Sequence, residues 1–392
     1  MGLSLPTVYP GTRVCTPVSE QSPTVAVLGG GAVGTTAAFD LASGGAEVTL
    51  FERSRIGADH ASTGRAAGVC YSAFPDRTNA LLARRSLERF RSLSGTGGFS
   101  FHDVPYVWLA RQGDRARATA IRDGVDRMRD HGLDVELIDP AWLSRRYPAI
   151  RTGDVAVAAV DHAAGCTDPA TYAELLASRA RRAGASIRER IAVALDRTDG
   201  TVLVDARRHT FDAVLVAAGA HTDRILTDAG HSIAMKPYRV QALTIDGGPA
   251  LPMGYDATAG FYFRPHGDGV LVGDGTEKTT SDPDAWTLTA DRSFEESALE
   301  RLCSRVELEA PTIRNSWAGL CTATPDHNPL AGRLADDVYV ATGWQGHGFM
   351  RAPAIGEQLA RQILGEPGID AFDPGRFPGD HVFKIEEGMA LP

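Results

Sequence analysis

The stretch VAVLGGGAVGTTAAFDLASGGAEVTLFE, Val25 to Glu52, sets three glycines between an apolar run and a helical one. VAVLG is short, apolar and β-rich, which predicts a buried strand, and AVGTTAAFDLAS carries helical apolar spacing up to Gly44-Gly45. EVTLFE predicts a second strand, so the unit reads β-turn-α-β. Its turn is Gly29-x-Gly31-x-x-Gly34. Gly29 permits the tight turn, Gly31 admits backbone approach to a pyrophosphate, and Gly34 lets the helix sit against the sheet. N–H groups of the first helical turn, backed by the helix dipole, then face the phosphates. Glu52 closes the second strand, where a carboxylate accepts hydrogen bonds from an adenosine ribose. The expected dinucleotide contacts are Gly29, Gly31, Ala32, Val33 and Gly34, with Glu52 and its neighbour Arg53.

At 392 residues, 43% of them hydrophobic, the chain is long enough for two or three domain-sized units with a sizeable core. A formal charge of -9 opposes nonspecific attraction to nucleic acid or anionic lipid and favours a small-molecule substrate. Nearly all the positive charge is arginine, with three lysines, Lys236, Lys278 and Lys384. Cys15, Cys70, Cys166, Cys303 and Cys321 are odd in number and far apart, without C-x-x-C spacing. They read as buried thiols of a reducing cytoplasm, and no metal site is expected. The proline-rich start lacks the apolar core of a signal peptide, and no later run reaches membrane-spanning length.

Residues 155 to 219 predict a further β/α set: VAVAAV, a helix in DPATYAELLASRARRAG, strands around IAVALDR and TVLVDA, then DAVLVAAGAHT. In the last of these, Ala218 and Gly219 are small enough for close approach to a cofactor. VYVATGWQGHGFMRAPAIGEQLARQIL adds another strand, a glycine-rich turn and a helix. The separated pieces are expected to build one sheet.

In this order of motifs the sequence resembles the FAD-dependent amine and amino-acid oxidoreductases of the D-amino-acid oxidase superfamily, among them glycine oxidases, sarcosine oxidases and related dehydrogenases. The resemblance covers about residues 24 to 368. Its pieces are VAVLGGGAVG with Glu52, ASTGRAAGV at 61 to 69, the Asp168-Pro169 helix start, VLVAAGAHT, YFRPHGDGVLVGD, and TPDHNPLAG followed by ATGWQGHGFMRAPAIGE. It implies an α/β fold with a Rossmann-like FAD-binding domain of three discontinuous segments, 24–75, 154–228 and 318–368. A second, mainly antiparallel-sheet substrate domain would comprise 76–153 and 229–317. Residues 1–23 are then a loose N-terminal extension and 369–392 a C-terminal tail. Ser62, Thr63, Gly64 and Arg65 would contribute FAD contacts. The turn Gly343 to Met350 would lie along the isoalloxazine, through Gly346, His347, Gly348, Phe349 and Met350, where a helix N-terminus favours negative charge on reduced flavin.

Flavoenzymes of this kind take a hydride from the carbon bearing an amine, pass it to flavin N5 and leave an imine. The partners implied are a small amino-acid or amine substrate and an electron acceptor, oxygen or another carrier; a homo-oligomer is compatible with the sequence. An arginine is the expected anchor for a substrate carboxylate, because its planar fork accepts one bidentately. The place that glycine and D-amino-acid oxidases give to that arginine is held here by Cys321, read as a small buried hydrophobe. Met350 stands where sarcosine oxidases carry a carboxylate-binding lysine, and Leu271 where they carry the lysine that serves oxygen. A dehydrogenase is therefore preferred to an oxidase. Gly319 stands where those oxidases attach flavin through cysteine, which implies non-covalent FAD.

Among Arg65, Arg239, Arg264 and Arg351, Arg264 is the first choice for substrate, with Tyr262 shaping the pocket; a structural ion pair is the alternative for each. His347 is read first as a flavin contact and second as an acid/base. Two other readings stay open: a flavin-bearing electron-transfer subunit of a larger complex, and an FAD-dependent 2-hydroxy-acid dehydrogenase.

Overall fold

A computed structural model describes residues 22–196, 200–274 and 276–386. The expected N-terminal extension as far as residue 21, with Cys15, and residues 387–392 of the expected tail lie outside the described residues.

The opening unit folds as Thr24–Leu28, the helix Ala32–Ser43 and Glu47–Glu52. Its two strands pair in parallel at the centre of a six-stranded sheet, whose spatial order is Leu330–Arg333, Val338–Thr342, Ala213–Val216, Thr24–Leu28, Glu47–Glu52, Ser186–Glu189. Every pairing is parallel except the first. Strand alternation sends Val25 and Val27 to one face and Ala26 and Leu28 to the other, and all four are buried. The first face is covered by the opening helix, by Pro169–Arg182 and by the late helix Gly348–Ile363. The second is covered by the three-stranded meander Val193–Leu195, Thr201–Val204, Arg207–Thr210 and by the short helix Thr222–Asp228. A parallel sheet buried on both faces needs near-continuous apolar strands, and VAVL and AVLV supply them.

An eight-stranded sheet runs in the order Ile313–Ala323, Lys236–Ile245, Gly269–Asp274, Phe261–His266, Met253–Asp256, Tyr106–Arg111, Val155–Asp161, Val135–Ile138. It is antiparallel but for Met253–Asp256 beside Tyr106–Arg111. One face carries Val107, Leu109, Leu243 and Phe263 beneath the helix Arg292–Arg305; the other turns Tyr106, Trp108 and Tyr255 toward the nucleotide-binding half.

Two strands depart from the sequence reading. VAVAAV was expected with the nucleotide-binding set but pairs with Tyr106–Arg111 and Val135–Ile138 in the larger sheet. An apolar run buried on both faces suits either sheet, and the antiparallel partners decide. The boundary expected at 318 falls inside the strand Ile313–Ala323, which pairs with Lys236–Ile245 along its whole length.

Candidate active site

The opening turn and the late turn line one cavity of about 570 Å³ between the two large sheets. Gly29 has φ +113°, and a Cβ there would lie 2.4 Å from the carbonyl oxygen of Ala217, so the turn needs glycine. Gly31 caps the opening helix with backbone only, leaving first-turn donors at the cavity wall; Ala32 N–H reaches Thr63 Oγ1 at 3.1 Å. Gly34 stands behind that wall, where a Cβ would come within 2.0 Å of the Gly29 carbonyl oxygen.

Glu52 Oε2 accepts from Gly30 N–H at 2.7 Å and Oε1 from Ser54 N–H at 2.8 Å. Two backbone donors fix the carboxylate at the cavity and leave it acceptor capacity. Beside it, Arg53 Nη1 lies 2.8 Å from His221 Nε2, and Asp284 meets His221 and Arg224. Burial, then the cations Arg53 and Arg224, pull His221 down to about 4, so its ring is neutral at pH 7, with Nε2 facing both Arg53 and Asp284.

At the other end stand Gly346, His347, Gly348, Phe349 and Met350. The late helix also begins without a side-chain cap and without an acidic residue in its first turn. His347 is buried, with Nε2 2.8 Å from the Tyr71 hydroxyl. Burial, reinforced by Arg351 and His327, lowers it to about 3, so it stays neutral. Tyr71 is held by stacking on Tyr106, with ring centroids 4.3 Å apart.

Four arginines were expected near this cavity, and three are occupied elsewhere. Arg239 is bonded to Glu277, Asp291 and the carbonyls of Thr287 and Thr289. Arg351 donates to Asn79 Oδ1 at 2.6 Å and to the Trp344 carbonyl at 2.9 Å. Arg264, the first choice for substrate, does not line the cavity: it donates to the carbonyls of Ala67 and Pro265. Arg65 does line it. Its Nη1 is held by the carbonyls of Ala318 at 2.7 Å and Leu288 at 2.8 Å, while among the described residues Nε and Nη2 have no partner. Trp317 Nε1 donates to the Arg65 carbonyl at 3.0 Å, which fixes the backbone beneath the guanidinium.

Of the other expected residues, Arg53, Ser62, Thr63, Ala218, Gly219 and Tyr262 line the cavity; Gly64 does not, being packed against the Ala58 carbonyl. Tyr71, Tyr238 and Trp286 also line it without having been singled out from the sequence, as does Trp344 of the expected late turn. Tyr71 had one available signal, its place two residues beyond ASTGRAAGV, and nothing in the sequence joins it to His347.

A family model described as FAD dependent oxidoreductase matches residues 24–362. The chain belongs to that family. Among curated proteins, this oxidoreductase is 29% identical over 98% of its length to the tRNA 5-methylaminomethyl-2-thiouridine biosynthesis bifunctional protein of Maricaulis maris, covering 60% of that protein. It is 27% identical over 91% of its length to glycine oxidase of Bacillus licheniformis, covering 98% of that enzyme. Among solved structures, L-proline dehydrogenase from P. horikoshii superposes with a TM-score of 0.81 at 27% identity, over 91% of this chain and 98% of that one. The chain spans 60%, 45% and 44% of the length of three longer curated relatives.

The residues present fit FAD. Two helix starts without side-chain caps open on one cavity, and a carboxylate fixed by two backbone donors stands beside the first of them. Among the described residues no group of three His, Cys, Asp or Glu side chains is placed to hold a metal, and no helix is long and apolar enough to cross a membrane.

Proposed function

We propose that this oxidoreductase oxidises the C–N bond of a small amino acid or N-alkyl amino acid, of the D-amino-acid, sarcosine or proline kind, to an imine. The observation that carries the reading is Arg65, a cavity-lining guanidinium whose Nε has no hydrogen-bond partner among the described residues, in a cavity that Trp317, Trp344 and Tyr262 also line. A planar cation of that kind takes a carboxylate, and the aromatic walls take the carbon skeleton. Arg65 thus replaces Arg264 as the anchor.

Bound FAD supplies the acceptor for the hydride that leaves the carbon next to nitrogen. The chain's own part is to bind and orient. Gly31, Ala32 and Val33 hold the pyrophosphate, Glu52 the ribose, and the first N–H groups of the late helix a negative charge at the flavin. Arg65 fixes the carboxylate end of the substrate, so that its reacting carbon is held in one place. Gly319 offers no nucleophile for attachment, in keeping with non-covalent FAD.

The preferred acceptor is a carrier other than oxygen. Leu271, the position expected for the oxygen-site lysine, is buried in the sheet and does not line the cavity, and among the described residues no lysine does. The test is anaerobic turnover of the FAD-loaded chain with an artificial acceptor, on glycine, sarcosine and both prolines against their matched 2-hydroxy acids. Turnover of amines alone supports the proposal; turnover of hydroxy acids alone moves the activity to C–O bonds. No turnover on either set favours an electron-transfer subunit.

A further inference from the structure

We propose that Tyr71 is a positioning residue that fixes His347 in one tautomer, with the proton on Nδ1, so that the cavity wall presents a neutral N–H donor to whatever occupies it. His347 lines the cavity and is 6% exposed. Its ring is held on two sides, edge-on to Phe74 at 5.3 Å and to Tyr71 at 6.0 Å between centroids. Its Nε2 lies 2.8 Å from the Tyr71 hydroxyl, and among the described residues Nδ1 has no partner. One ring nitrogen is therefore committed to the protein and the other is available to a ligand.

A neutral imidazole bonded through Nε2 to a hydroxyl has two settings. Either Nε2–H donates to the tyrosine oxygen and Nδ1 is an acceptor, or the tyrosine donates and Nδ1 carries the proton. The acid and base strengths of the two groups select between them, and Arg351 adds a nearby cation. Its guanidinium is fully buried, bonded to Asn79 Oδ1 and the Trp344 carbonyl, and no carboxylate lies within ion-pair distance of it among the described residues. That cation interacts electrostatically with both Tyr71 and His347. A phenol O–H is a far stronger acid than a neutral imidazole N–H, and an imidazole nitrogen a far stronger base than a phenol oxygen, so at 2.8 Å the O–H···N arrangement is the more stable. Tyr71 then donates, and His347 carries its proton on Nδ1. Burial of the ring, reinforced by Arg351 and His327, keeps His347 from a second proton, so the wall offers a donor without a charge. This donor adds to the uncapped start of the late helix, which His347 precedes.

The inference concerns the cavity wall and holds whichever substrate is oxidised. The experiment is ring-¹⁵N spectroscopy of the FAD-loaded protein carrying labelled histidine, with His347→Gln to assign the signal and Tyr71→Phe to remove the donor. The wild-type ring is expected in the Nδ1–H form at every pH from about 5 to 9, the range over which an ordinary histidine titrates. In Tyr71→Phe that preference is lost while FAD content is kept, and the reduction equilibrium of bound flavin shifts by about tenfold, or ~30 mV for two electrons. An Nε2–H ring in the wild type overturns the proposal, as does a Tyr71→Phe ring with unchanged tautomer. Should Tyr71→Phe fail to bind FAD, the wild-type spectrum alone decides.

Discussion

Tyr262 and Arg264 sit two residues apart on one strand, so they share a face of the sheet, yet only the tyrosine reaches the cavity. Two residues along a strand is about 6–7 Å, enough to carry Arg264 past the cavity and under the Ala67 carbonyl. Sequence spacing gave the face and not the end of the pocket. Arg65 was legible as a site residue through its motif, but its unpartnered nitrogens depend on carbonyls from Leu288 and Ala318, more than 200 residues away in sequence. Arg65→Met is expected to raise KM for a carboxylate substrate roughly ten- to hundredfold, the loss of one charge-assisted contact, with FAD content unchanged; steady-state kinetics beside flavin absorbance check this. Glu52 was legible from its place at the end of the second strand. Glu52→Gln keeps the shape and removes the charge that Gly30 and Ser54 orient. FAD is expected to bind about tenfold more weakly, by titration of the apoprotein.

Among the elements, the opening unit could be read almost to the residue, because turn glycines, apolar strands and helical spacing are local signals. Strand partnership is not local, and VAVAAV went to the other sheet for that reason. The crossing of the opening and late helices was equally hidden. Gly356 lies where a Cβ would come within 2.6 Å of Thr36 Cβ, so glycine is what lets the two helices touch. Gly356→Ala is expected to lower stability by about 1–3 kcal/mol, measured by denaturant unfolding. It is also expected to weaken FAD binding, because both helices start at the cavity.

For the molecule as a whole, the cavity belongs to both large sheets, and residues 276–291 bridge them. Arg239 holds that segment through Asp291, and Asp284 ties it to Arg224 and to His221 beside Glu52. A half-buried and a buried histidine, both neutral, make the assembly acid-sensitive. His221 and His347 are lowered from 6.5 to about 4 and about 3, first by burial and then by neighbouring cations. The unfolded chain therefore binds more protons through the window from 6.5 down to about 4, and stability rises with pH across it. Unfolding midpoints should fall between pH 7 and pH 5, and His221→Gln should flatten part of that slope. Asp282, Asp284 and Glu52 also face His221 and oppose the shift, so a histidine that titrates normally would remove its share.

The proposed function requires that FAD held in this cavity be reduced by an amine bound against Arg65. Its most direct test is the visible spectrum of the FAD-loaded protein during anaerobic titration with amino acids and N-alkyl amino acids, followed by air. One or a few carboxylate-bearing amines are expected to bleach the flavin, Arg65→Met to need far more of the same amine, and colour to return slowly in air. A flavin that no amine bleaches, or one bleached equally well in Arg65→Met, would contradict it.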